Sequence, residues 1–181
     1  VVPREQDGAS ERAALARSHL LWAREQVAER EDRMLGLLEA LGYLELASTI
    51  PGLSPVGVAQ ILAETGEPAR YDSGRAWAKH AGICPRDNGS GRQRGRAAAS
   101  GRGRPRLPTA AWRGVWPLLQ RNPAFRARHR RLRERRGNPL TDQQARVAVA
   151  AALLRRLWVV LTHRVAWDPA LASPEEVVRA A

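Results

Sequence analysis

Ser48-Thr49-Ile50-Pro51-Gly52-Leu53-Ser54-Pro55-Val56-Gly57-Val58-Ala59 sets an apolar residue, Pro-Gly, a second apolar residue and Ser-Pro in direct succession. Pro-Gly interrupts a helix and Ser-Pro starts one, so the stretch is a tight turn between two helices. It has the pattern of a helix-hairpin-helix element. The turn of such an element offers backbone N–H groups and a helix N-terminus to a phosphate, here at Gly52 and Ser54. A plain helical corner would use the same residues for packing alone. Val58, Ile61 and Leu62 give the second helix its buried face.

Working outward toward the N-terminus, residues 10–47 read as one long helix capped by Ser10. Leu20, Val27, Met34 and Leu41 recur every seven residues, and Leu37, Leu38 and Leu44 widen the stripe. That stripe serves a helical hairpin, a dimeric coiled coil or packing on the chain's own domain. Residues 1–9 are polar and form a disordered tail.

Toward the C-terminus, Ser73 caps a short helix bearing Trp77 and His80, and Gly82 ends it. The stretch from Gly82 to Arg106 has no apolar periodicity. Glycine there alternates with arginine around two Ser-Gly pairs, Ser90-Gly91 and Ser100-Gly101, which makes it a loop. Helical patterning resumes at Thr109, with Trp112, Val115, Trp116 and Leu119 on one face; Trp112 and Trp116 could stack on bases, but their helical spacing favours core packing. Asn122-Pro123 opens a helix crowded with arginine, and Gly137 stops it. Thr141-Asp142-Gln143-Gln144 is a capping box before a helix with Val147, Ala150, Leu154, Leu157 and Leu161 as its core face. Trp167-Asp168-Pro169 closes the domain, which spans 48–169. Residues 170–181 are a short helix or tail. No segment alternates long enough for a strand, so the fold class is all-α.

Composition narrows the function. The 181 residues carry a formal charge of +12, only 5% are aromatic, and Cys84 is the single cysteine, so no internal disulfide forms. Between Asp87 and Glu134 there is no acid but there are thirteen arginines. Ordinary surfaces mix signs; this one is suited to a polyanion, and DNA is the expected partner. Arg92, Arg94, Arg96, Arg102, Arg104, Arg106, Arg128 and Arg131, with the Gly91 backbone, are the expected contacts. Neither a signal peptide nor a membrane span is visible, and a cytoplasmic protein follows. The chain begins at Val1 instead of Met, which fits a fragment or processed product.

Phosphoryl transfer needs an in-line nucleophile, charge stabilisation and commonly metal ions held by carboxylates. Ser90 or Ser100 can be the nucleophile and the arginines can stabilise charge. No carboxylate cluster supplies a metal site. On the residues alone, a phosphate-binding loop is the default for both serines, and a nucleophile is the less favoured reading.

The order of motifs adds to this. Ile50-Pro51-Gly52, Ala81-Gly82-Ile83-Cys84-Pro85, Ser90-Gly91, Gly95-Arg96, Gly101 to Arg106, Gln144-Ala145-Arg146 and Trp167-Asp168-Pro169 follow one another. From about Leu46 to Pro169 the chain resembles the C-terminal half of the insertion-sequence transposases of the IS-one-ten type, the Piv-like invertases and transposases. The resemblance implies that Ser90, five residues after Pro85, is a nucleophile that forms a phosphoserine link with DNA; Ser100 is the less favoured position. It also implies a structured guide RNA, multimer assembly through the long helix, and a separate N-terminal RNase-H/RuvC-like domain whose four acids bind Mg2+. That domain is absent here, so no cofactor is expected on this chain, which carries the serine half of a composite site and is not competent alone. One departure from the family pattern is Leu107-Pro108, where Pro108 is expected to delay the next helix. The alternative is a non-catalytic helix-hairpin-helix nucleic-acid-binding module, and a third reading is a basic oligomeric scaffold.

Overall fold

The computed structural model describes residues 4–83, 85–87, 97–99 and 106–169. Within them the chain runs α1 (Arg4–Ala40), α2 (Leu44–Ser48), α3 (Pro55–Thr65), a 3-10 turn at Pro68–Arg70, α4 (Gly74–His80), β1 (Pro85–Asp87), β2 (Ala97–Ala99), α5 (Arg106–Arg121), α6 (Pro123–Glu134) and α7 (Asp142–Thr162). The architecture is all-α, apart from β1 and β2.

Local chemistry sets most helix starts. Ser54 accepts the Gly57 N–H and Ser73 the Ala76 N–H, each at 3.1 Å. The Asn122 side chain accepts from Ala124 and Phe125 ahead of α6. Thr141 and Gln144 form the full reciprocal capping box ahead of α7. Each cap satisfies N–H groups that the first helical turn leaves without an acceptor.

α7 is the centre of the core. Val149 to Leu154 are all buried, and Leu157, Val160 and Leu161 continue the apolar surface. The expected face at Ala150, Leu154, Leu157 and Leu161 is buried, with Val147 only partly so. This part of α7 is apolar on most sides, and α2, α4, α5 and α6 pack on the helix. Gly74 lets α4 approach α7 closely: a Cβ there would lie 2.8 Å from the Arg155 carbonyl oxygen. Trp77 is fully buried beside it. The Trp158 indole N–H donates to the Pro68 carbonyl at 3.0 Å.

Several expectations need correcting. The first helix starts at Arg4, so residues 4–9 belong to it instead of to a tail. It ends at Ala40, because Gly42 takes φ +67° and the Gly42 and Tyr43 N–H groups return to the Glu39 and Leu38 carbonyls. That is a glycine-terminated helix end, and α2 is a separate short helix. The expected stripe divides accordingly: Leu38 is buried, whereas Leu20, Val27, Leu37 and Leu41 are half exposed. Pro108 does not delay α5, which begins at Arg106. Proline is tolerated in a first turn, where its missing N–H would have had no intrahelical acceptor.

The largest departure from the sequence reading is the antiparallel pairing of β1 with β2, in the register Pro85↔Ala99, Arg86↔Ala98 and Asp87↔Ala97. Two three-residue strands are too short to leave a periodic signal, and alanine has low strand preference. Their pairing is decided between distant segments.

The end of α1 is latched to the end of α7. The Arg164 guanidinium donates to the Leu41 and Gly42 carbonyls, both at 3.1 Å, and lies 4.7 Å from the Tyr43 ring centre. Tyr43 is buried and its hydroxyl donates to a Glu67 carboxylate oxygen at 2.5 Å. Burial first, then the bond to Glu67, push the phenol up to about 12. An unfolded tyrosine ionises near 10. Between those values the unfolded chain releases a proton that the folded chain keeps, so stability is intact below pH 10 and falls as pH rises toward 12. The expected loss is ~2–3 kcal/mol. Urea unfolding of the wild type and Tyr43→Phe across pH 8–11.5 checks this; the variant should lack that component of the slope.

Candidate nucleic-acid interface

α6 carries the densest run of cations, and its arginines do different things. Arg126 is used internally: its Nε donates to the Leu119 carbonyl at 2.9 Å and Nη2 to the Gln120 carbonyl, closing the C-terminal end of α5. Arg128 is part-buried where α6 packs on α7, with a buried Nε. Its guanidinium is held below the ordinary arginine value, first by burial and then by repulsion from Arg155, Arg131 and Arg156. Burial and Arg155 act on Arg156 in the same direction. Like charges from two helices thus act on one another here, and an added anion would act in the opposite direction.

A second cluster forms around Asp142 at the start of α7. Its carboxylate takes Arg146 Nε at 2.8 Å, His129 Nε2 at 3.2 Å and Arg133 at 3.9 Å. The Arg146 guanidinium carbon lies over the Trp116 ring, 3.6 Å from its centre. Trp116 was expected in the core with Val115. Val115 is fully buried, but Trp116 is 51% exposed. The reason is the face α5 uses: Leu107, Ala111, Val115 and Leu118 all point inward at helical steps, and Trp116 falls outside that stripe. Phe125 is buried and stacks on Trp167, with centroids 5.2 Å apart. The Trp167 N–H donates to Thr49 Oγ1 at 2.9 Å.

The expected contact residues separate in space. Gly52 has φ +88° and faces α5, where a Cβ would come 2.4 Å from the Pro117 carbonyl oxygen. It therefore has a packing role. The exposed Ser54 hydroxyl accepts from Gly57 and keeps its own proton to donate. Arg106, exposed, begins α5. It lies about 16 Å along the helix axis from Pro117 and the Gly52 turn. Arg131 is exposed on α6. Ser90, Ser100, Gly91, Arg92, Arg94, Arg96, Arg102 and Arg104 lie outside the described residues. The β1–β2 ladder nonetheless brings Asp87 and Ala97 together as partners, so the ends of the segment bearing Ser90 meet.

The sequence reading overlooked Arg155, Arg156, Asp142 and His129 as members of these clusters. Arg146 had a signal as part of Gln144-Ala145-Arg146, and Trp116 as a residue able to stack on a base, a reading set below core packing. Among the described residues there is no group of three or more His, Cys, Asp or Glu that could hold a metal ion. Nor is any described helix long and apolar enough to cross a membrane.

Residues 44–130 match the transposase IS116/IS110/IS902 family. The match begins at the first residue of α2 and ends within α6, so it contains the Gly52 turn, both strands and the serine-bearing segment between them. The chain is also 26% identical over 142 residues to "Putative transposase y4pF/y4sB" of Sinorhizobium fredii (strain NBRC 101917 / NGR234). That alignment covers 76% of this chain and 36% of the relative, so the chain spans about a third of the relative's length. Both comparisons relate the chain to transposases, and the IS116/IS110/IS902 likeness is confined to residues 44–130.

Proposed function

We propose that this chain is the nucleic-acid-binding, serine-bearing part of an IS110-type transposase. The observation that carries the reading is the family match over 44–130, which encloses Ser90 and most of the acid-free arginine region. In this reading Ser90 Oγ attacks a DNA phosphorus. A P–O bond to serine forms as one P–O bond to deoxyribose breaks, the departing sugar oxygen takes up a proton, and the phosphodiester is kept as a phosphoserine. Ser100 is the less favoured nucleophile. An RNase-H/RuvC-like domain supplies the carboxylates and Mg2+, so this chain alone is inactive. A structured guide RNA selects the DNA, and the protein works in the cytoplasm. The half-exposed leucines of α1, with Trp22 and Val27, serve as a coiled-coil surface for a homo-oligomer. The Gly52–Ser54 turn acts as a helix-hairpin-helix, with Ser54 reaching a phosphate while Gly52 keeps the turn packed.

Phosphate contacts are assigned to Arg106, Arg128 and Arg131, together with the arginines and the Gly91 backbone between Asp87 and Arg106. Binding should weaken with salt by ~0.9 log units per log unit for each phosphate neutralised on duplex DNA. Arg128→Gln/Arg131→Gln is expected to lower that slope by about 2 and weaken duplex binding about 10- to 100-fold at low salt, equally for all sequences. Fluorescence anisotropy titrations at several salt concentrations measure both quantities; an unchanged slope removes these two arginines from the interface.

The chemical half is tested by trapping. With a RuvC-like half, a matched RNA and a suicide-nicked substrate supplied, wild type should form a covalent DNA adduct and Ser90→Ala none. An adduct that persists in Ser90→Ala overturns the role of Ser90. Salt-sensitive binding with no adduct under any complementation would instead identify a non-catalytic binding module.

A further inference from the structure

We infer that Trp116 is a stacking platform for an unpaired nucleobase, so that the α5–α6–α7 corner binds a single strand in addition to duplex phosphates. The inference rests on the nucleic-acid reading above and adds a ligand class to it.

Three features of the corner support it. Trp116 lies outside the buried α5 stripe and is 51% exposed. One face of its ring is taken by the Arg146 guanidinium at 3.6 Å, and Arg146 is itself only 17% exposed, with its Nε 2.8 Å from an Asp142 carboxylate oxygen. The indole is therefore held in one orientation by a layer beneath it. Covering the Arg146 stem would need only an aliphatic side chain; an aromatic ring with its other face uncovered is what a base requires.

The surroundings select an anion-bearing partner. Arg113 stands one turn before Trp116 on the same side of α5, exposed to solvent. Arg133, 53% exposed, enters from α6 beside Asp142. A base on the ring would place its phosphates between these two cations. A second copy of the same corner would bring like charges together, in a chain of net charge +12. In a duplex the bases are already stacked on one another, so the platform is usable only by an unpaired nucleotide, whether DNA or RNA.

The test compares wild type, Trp116→Leu and Trp116→Phe on 12-mers of deoxythymidine and of uridine, on an abasic 12-mer of the same charge, and on a duplex. Trp116→Leu is expected to lose about 10-fold or more in affinity for one or both base-bearing single strands. It should leave the abasic strand and the duplex within about 2-fold, and Trp116→Phe should recover most of the loss, since a phenyl ring still stacks. The strand that suffers more, DNA or RNA, identifies the physiological source of the base. Stacking should also quench the part of the tryptophan emission that Trp116→Phe removes. Equal losses on all four ligands, or no loss on either base-bearing strand, would overturn the inference while leaving DNA binding intact. Failure of the wild type to bind any of the four at low salt would instead overturn the nucleic-acid reading itself, and this inference with it.

Discussion

Replacing Gly52 by alanine is expected to cost the domain about 3–5 kcal/mol, among the largest effects of any single methyl group in this chain. Two penalties add. At φ +88° an L side chain is strained by roughly 1–2 kcal/mol. The new Cβ would also stand 2.4 Å from the Pro117 carbonyl oxygen and 2.8 Å from the Leu118 Cα. Both neighbours are backbone and cannot rotate away. Leu118 is fully buried, so α5 cannot retreat without opening the core beneath it. With total stabilities of ~5–15 kcal/mol typical of such domains, the loss takes a large share of what holds the fold.

Gly137 provides the control. It too has positive φ, +76°, but a Cβ there meets nothing within 4 Å. Gly137→Ala should cost only the conformational part, about 1–2 kcal/mol. Urea unfolding of the two variants separates strain from overlap. Equal midpoints for Gly52→Ala and Gly137→Ala would refute the close approach of the turn to α5.

Ser90→Ala is expected to abolish the covalent protein–DNA link in a complemented reaction, with a fall of at least ~10^4 in adduct rate. A methyl group has no lone pair with which to attack phosphorus, and neighbouring arginines cannot replace it because they are acids, not nucleophiles, at neutral pH. DNA affinity should change little, since one neutral hydroxyl contributes far less to polyanion binding than the arginines around it. Ser100→Ala should keep the adduct. The comparison is informative because the two Ser-Gly pairs have similar basic surroundings in sequence. Mass spectrometry of the trapped peptide identifies the serine, and a link mapped to Ser100 would exchange their roles.

Helix beginnings were legible in the sequence because caps are local. Ser73, Asn122 and Thr141 each satisfy N–H groups two or three residues ahead, whatever the rest of the molecule does. The terminating role of Gly82, with φ +68°, was legible for the same reason. The core face of α7 followed from its spacing. Less could be read about faces. Trp112, Val115, Trp116 and Leu119 lie close together on a helical wheel, and only the way α5 meets α7 decides that Val115 goes inside and Trp116 outside. Gly42 ended the first helix although the leucines continue past it, because a glycine at positive φ allows a close where apolar periodicity alone would carry on.

By itself the sequence determined the helical class, several of the helix caps, the chain's own strongly basic charge and an order of motifs that resembles transposases. These depend on residues within a few positions of each other or on total charge. Tertiary structure alone decided that the Gly52 turn leans on Pro117 and that Arg128 is part-buried among like charges, Arg155 first. It also decided that Pro85–Asp87 pairs with Ala97–Ala99, and that Arg146 lies under an exposed Trp116. Each is a meeting of segments far apart in the chain, governed by which surfaces exclude water together, and no short window of sequence contains both partners.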